Sequence, residues 1–119
     1  MSNKLAIEIL NDYPLATETA RDWFLKKMIE SFEQDNAPED FKNQMLSRGV
    51  SDITLAIMFD QSPRNFFDVL DENRIVIEIS YMDQNIFRFS INHEDDDRRY
   101  EGRIPCERAA VEKAFEMLN

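Results

Sequence analysis

Cys106 and His93 are the only residues of their kinds in the chain, and together they are the smallest constellation that could perform nucleophilic chemistry. Cys106 falls in the first turn of a C-terminal helical pattern, where unpaired amides and the helix dipole would lower a thiol's pKa. A cysteine–histidine pair also needs the imidazole within hydrogen-bond reach of the sulfur. The strand register derived below puts His93 at the acidic-turn end of a second strand and Cys106 past the opposite end of a third. That separation disfavours a dyad, and the pair reads as a semi-buried thiol and a surface histidine. An enzyme built around Cys106 is the last of three functional alternatives.

The run Glu94-Asp95-Asp96-Asp97 could attract Ca²⁺ or Mg²⁺, which take several oxygen ligands. It lacks the spaced acidic pattern of a calcium loop, consecutive acids in a turn diverge, and Arg98 and Arg99 follow directly. It reads as a solvated hairpin tip. Glu78 and Glu101 share a strand face with Arg88 and Arg103, which favours ion pairing over a paired-carboxylate site. Only two glycines, Gly49 and Gly102, are present, so no phosphate-cradling loop is possible. No nucleophile-elbow, zincin or kinase motif appears. No metal and no cofactor is expected.

These residues are positioned by the stretch from Arg74 to Ile104, the organising part of the chain. Ile75, Ile77, Ile79 and Tyr81 alternate with polar residues, and Phe87, Phe89 and Ile91 continue the alternation, the period-2 signature of strands with one buried face. A three-residue turn, Asp83-Gln84-Asn85, would pair Met82 with Ile86, Tyr81 with Phe87, Ile79 with Phe89 and Ile77 with Ile91. A slip of one residue would expose half the apolar set, so the pattern fixes the register. Asn85 suits a left-handed position in that turn. A four-residue loop at 94–97 would then pair His93 with Arg98, Ile91 with Tyr100, Phe89 with Gly102 and Phe87 with Ile104. The opposite face carries Glu78, Ser80, Arg88, Ser90, Asn92, Glu101 and Arg103, with Arg88 beside Arg103. Val76, Met82 and Ile86 make it less polar than a purely solvent face.

The rest of the chain reads as helices. Residues 2–12 form a short one capped by Ser2, with Leu5, Ala6, Ile9 and Leu10 inward, ended by Tyr13-Pro14. A second runs from about Thr17 to Asp35, with Ala20, Trp23, Phe24, Met28, Ile29 and Phe32 as its stripe and Asp22–Lys26 as an i,i+4 pair. A third starts around Pro38 and stops at Gly49. Residues 51–60 alternate like a strand through Ile53, Leu55, Ile57 and Phe59, but Ser51 is a good N-cap and Ala56 and Met58 are apolar too, so helix is preferred. Ser62-Pro63 caps another short helix through Phe66, Phe67, Val69 and Leu70 to Asn73. Pro105 starts the last, to Leu118, with Ala110, Val111, Ala114, Phe115 and Leu118 inward and Glu107, Arg108, Glu112, Lys113 and Glu116 outward. The expected fold is α+β: one domain over residues 1–119, helical for its N-terminal two-thirds, then a three-stranded antiparallel meander (about 74–82, 86–93, 98–104) whose apolar face the last helix covers.

The net charge is -10 over 119 residues. Residues 1–60 carry 11 acids and 6 bases and residues 61–119 carry 13 and 8, so each half nets -5. No basic patch could track a phosphate backbone, which disfavours direct nucleic-acid binding. No apolar run is long enough to span a membrane, and the first residues lack the build of a signal peptide. A single cysteine excludes an internal disulfide; a cytoplasmic location is the simplest expectation. What remains is a non-enzymatic protein-interaction module, of an inhibitor, immunity or adaptor type by analogy alone. Its expected surface is Val76, Met82, Ile86 and Arg88 on the outer sheet face, the acidic turn Glu94, Asp95, Asp96 and Asp97, and an edge strand. The partner would be another protein, with self-association also open. The second alternative is a nucleic-acid mimic presenting Asp12, Glu30, Glu33, Asp35, Asp68, Asp71 and Glu72 at phosphate-like spacing, although Lys and Arg are interspersed among them.

Overall fold

Residues 4–119 are described in the structure, a computed structural model; Ser2, the expected cap of the first helix, lies outside them. The order of elements is α1 (Ala6–Asp12), α2 (Pro14–Gln34), α3 (Glu39–Arg48), α4 (Asp52–Gln61), a 3₁₀ turn (Pro63–Phe66), α5 (Phe67–Glu72), β1 (Ile77–Asp83), β2 (Ile86–Ile91), β3 (Glu94–Asp95), β4 (Tyr100–Glu101) and α6 (Arg103–Leu118). This is the expected α+β arrangement, with α6 packed on the strands.

Pro14 ends α1 and also starts α2, because it fills the first helical position, where no amide hydrogen is needed. The second helix therefore begins three residues before Thr17. Thr17 is buried at the joint, where its hydroxyl donates to the carbonyls of Leu10 and Tyr13 at 2.8 Å each. Leu5, expected inward, is 64% exposed because it precedes the first turn of α1. Asp22 and Lys26 do not pair; Lys27 reaches Glu30 at 3.5 Å instead, and Arg21 holds Glu18 together with Asp52 and the Val50 carbonyl. Residues 52–61 are helical, and the Thr54 amide donates to the Ser51 hydroxyl at 3.2 Å as a cap should. In that helix Leu55 and Phe59 point inward four residues apart, and the alternating Ile53 and Ile57 face outward.

The core lies where α1, α4, the 3₁₀ turn and α6 meet. Phe59, Phe66 and Phe115 are fully buried with ring centroids 5.5–5.6 Å apart, and Phe24 of α2 stacks edge-on against Phe66 at 5.6 Å. Phe67, next to Phe66, turns outward beneath the Arg64 guanidinium.

In the sheet, Ile77 pairs with Ile91, Ile79 with Phe89 and Tyr81 with Phe87, as the alternation requires. The turn is shorter than expected: Asp83 pairs with Ile86, Met82 is bulged out, and Gln84 and Asn85 both take positive φ (48° and 64°). A two-residue turn of that hand matches the twist of the strands. Strand β1 starts at Ile77 and not Arg74, because Arg74 has φ 65° and completes a turn after α5. Asn92 stitches this start to β2, accepting from the Val76 amide at 2.9 Å and donating to the Arg74 carbonyl at 3.1 Å.

The third strand departs most from expectation. Asn92 and His93 form a second tight turn (φ 52° and 69°), so Glu94 and Asp95 are strand residues opposite Ile91 and Ser90 and not a loop tip. The chain then leaves the sheet at Asp96 and returns as β4, with Tyr100 opposite Phe87 and Glu101 opposite Ile86. The shift from the expected partner of Tyr100, Ile91, is four residues. An even shift preserves the facing, and Tyr100 is buried under α6 beside Phe89. Helix α6 starts at Arg103, so Arg103 and Ile104 are helical and Arg103 is not beside Arg88. Gly102 makes the corner at φ 93°, its amide donating to the Asn85 carbonyl at 2.8 Å; a Cβ there would stand 3.3 Å from the Pro105 ring.

Candidate interaction surface

Strand pleating divides the sheet residues into two sets, and α6 covers one of them: Ile77, Ile79, Phe87, Phe89, Ile91 and Tyr100. The other set carries most of the expected partner surface. Val76 is 39% and Met82 41% exposed, and Ile86 and Arg88 are half-buried. Ile86 stands between Asp83 and Glu101 on the neighbouring strands, and Arg88 between Ser80 and the strand bearing Asp95, whose carboxylate lies 3.8 Å from its guanidinium. Arg88 Nε is buried and has no hydrogen-bond partner among the described residues. At the far end His93 Nδ1 lies 3.2 Å from Glu78. Strand β1 is paired on one side only, which leaves an open sheet edge.

Of the four acids, Glu94, Asp95 and Asp97 are exposed, and Asp96 is not. Asp96 is 8% exposed and turns to the α6 side, where it accepts from the Arg98 amide at 2.9 Å, from the Arg98 side chain at 3.2 and 3.3 Å, and from Lys113 of α6 at 3.3 Å. Burial alone would raise its pKa; the bonds from Arg98 and Lys113 outweigh burial and bring it down to about 2. The expected hairpin tip is therefore an acid-anchored turn, and Asp96 leaves the set of residues a partner could reach. Among the described residues no three His, Cys, Asp or Glu side chains gather into a metal-binding cluster.

Cys106 does not meet His93. Its thiol is fully buried, whereas the His93 side chain is 89% exposed and engaged with Glu78. The expected lowering of the thiol pKa at a helix start is reversed: burial, reinforced by Glu107 and Asp96, pushes it up to about 11. An aromatic disulfide reagent at pH 8 should leave Cys106 unmodified in the native protein and titrate it fully in denaturant; rapid native labelling would contradict that burial.

Two features escaped sequence reasoning. Glu107, expected on the outer side of α6, is 2% exposed and lies between Arg64 at 3.1 Å and Arg103 at 3.3 Å, so it ties the 3₁₀ turn to the start of α6. Its i,i+4 spacing from Arg103 was the available signal. Ile53 and Ile57 are 70% and 51% exposed, one helical turn apart on α4. Alternation made them look like the buried face of a strand, and helical spacing puts them outside.

A cleft of about 360 Å³ also opens beside α6, lined by Arg98, Tyr100, Arg108, Glu112 and Lys113 among others. Its cations are already engaged, Arg98 and Lys113 with Asp96 and Arg108 with Asp60 at 2.8 Å, so an anion entering it would compete with these carboxylates. No protein-family model, no curated protein and no solved structure matches this chain.

Proposed function

We propose that the chain is a non-enzymatic protein-interaction module of the cytoplasm, and that the outer face of its sheet receives another protein. The observation that carries this reading is a sheet face with no helix packed on it that presents apolar Val76, Met82 and Ile86 among its polar residues. A partner would remove that apolar area from water, and burial would strengthen the ion pair that Arg88 makes with Asp95 at the rim of the patch. The fully buried thiol of Cys106 supports binding over covalent catalysis.

The test is capture of partners from source-cell lysate at low and moderate salt, with a Val76→Glu/Met82→Glu variant and an Ile57→Glu control. The expected result is one protein retained at both salts by the parent and the control, with recovery from the sheet variant lower by about tenfold or more, a 1.4 kcal/mol effect. Equal recovery from all three chains would remove the sheet face from the reading. A basic partner released by moderate salt would point to nucleic-acid mimicry.

A further inference from the structure

The C-terminal half of α2, beyond Phe24, and all of α3 form an arm that owns no part of the core. Helix α2 has 21 residues, yet its buried residues, Ala16, Thr17 and Ala20, all lie in its first two turns, and α3 buries none. The molecule measures 49 × 27 × 24 Å, with a radius of gyration of 15.7 Å. A compact chain of this length would have about 13.5 Å. The arm is nevertheless apolar: Leu25, Met28, Ile29 and Phe32 share one stripe of α2 by helical spacing and are half-buried, and the Phe32 ring lies 5.4 Å from that of Phe41 on α3, which is 46% exposed. The two helices leave this seam half-open to water, and further helices packed against it would close it as in a four-helix bundle.

The identity of the missing helices is written in the spacing. Leu25, Met28, Ile29 and Phe32 follow i, i+3, i+4, i+7, and this set is symmetric about the midpoint between Met28 and Ile29. Reversing the helix direction about that point exchanges Leu25 with Phe32 and Met28 with Ile29. Such a stripe is complementary to its own antiparallel copy. The charges agree. Lys26 and Glu33 lie on the same flank of the stripe, and neither forms an ion pair among the described residues. A two-fold axis through the midpoint keeps that flank on one side and brings Lys26 of each copy within two residues, about 3 Å along the axis, of Glu33 of the other.

We infer that a second copy of this chain docks antiparallel along α2, arm against arm, so that two α2–α3 hairpins close into a four-helix bundle. This surface is separate from the outer sheet face, so the dimer leaves that face free.

Sedimentation of the full chain at micromolar concentrations tests it, with circular dichroism as the check on folding. The parent chain should sediment at twice the monomer mass. Ile29→Glu should raise the dimer dissociation constant by about a hundredfold or more while keeping the monomer folded, because Ile29 is not packed against the core. Lys26→Glu should weaken the dimer by about fivefold, and Lys26→Glu with Glu33→Lys should restore it, since the swap recreates both cross-pairs. Ile29→Cys, close to the axis, should crosslink to itself under oxidation far faster than Leu25→Cys, which an antiparallel pairing holds apart. A monomeric parent chain, a dimer indifferent to Ile29→Glu, or faster crosslinking at Leu25→Cys would each overturn the proposal.

Discussion

Phe66→Ala should lower the unfolding free energy by about 3–5 kcal/mol, a large share of the roughly 5–15 kcal/mol available to a domain. Phe66 is fully buried and is the ring where four elements meet, touching Phe24 of α2, Phe59 of α4 and Phe115 of α6 from its own place in the 3₁₀ turn. Truncation removes transfer free energy and three edge-on or tilted ring contacts, and it leaves a void that helices fixed from three directions cannot close. Phe67→Ala, one residue on, should cost about 1 kcal/mol or less, because that ring is half-buried beneath Arg64. Urea unfolding would report the contrast as a shift in midpoint at constant slope. Equal costs at the two positions would mean that the aromatic cluster is not the centre of the fold. Phe66→Leu should recover most of the loss, since the defect is one of volume.

The sequence displays this division of labour unevenly. The hairpin of β1 and β2 was legible because each strand has one buried face, only registers of one parity put Ile77, Ile79, Phe87, Phe89 and Ile91 together, and the short connection leaves one of them. The short third strand was not legible. Parity constrains a register only modulo two, so partners for Tyr100 that differ by four residues satisfy the same hydrophobic pattern. What selects between them is a polar anchor, Asp96, whose partners Arg98 and Lys113 lie on different elements. A run of four acids looks uniform in sequence, and only the fold singles out the one that is buried.

The candidate surface shows the same limit. Val76, Met82 and Ile86 stood out because they break the polarity of an otherwise polar strand face, and the structure leaves that face without a covering helix. Ile53 and Ile57 could not stand out, because α4 is apolar on every side and the helical phase of its exposed face is set by packing on α1 and α6. The arm was visible as a wide apolar stripe on α2. Its want of a core became apparent only when Trp23 and Phe24 proved to meet the body and the residues after them did not. Local pattern thus locates apolar faces; whether each is filled depends on where distant helices end.

Asp96→Ala should destabilise the protein by about 2–3 kcal/mol at neutral pH, through a mechanism that pH can separate from packing. With the carboxylate gone, the Arg98 amide, the Arg98 guanidinium and the Lys113 ammonium lose a common acceptor, and the turn between β3 and β4 loses its tie to α6. The pKa of Asp96 is about 2 in the folded protein against an ordinary value of 3.8. A group depressed on folding contributes stability that is complete above its unfolded pKa and disappears as pH falls through the folded one. The contribution should therefore be constant from neutral pH to about 5, decline below that, be mostly lost by pH 2 and vanish near pH 1. Its size is about 1–2 kcal/mol, below the full value of the shift because Arg98 and Lys113 are about half exposed and partly screened. Asp96→Asn isolates this charge-dependent part, since it keeps the shape of the side chain and one acceptor oxygen. Unfolding curves for parent and Asp96→Asn, separated by about 1–2 kcal/mol at pH 7, should draw together to within about 0.5 kcal/mol at pH 2. Trypsin should report the lost anchor directly, because Arg98 and Arg99 are in the turn that Asp96 holds: Asp96→Ala should be cut there many times faster than the parent. If the two stability curves stayed parallel to pH 2, the carboxylate's bonds to Arg98 and Lys113 would not be what holds the turn, and its contribution would be one of packing alone.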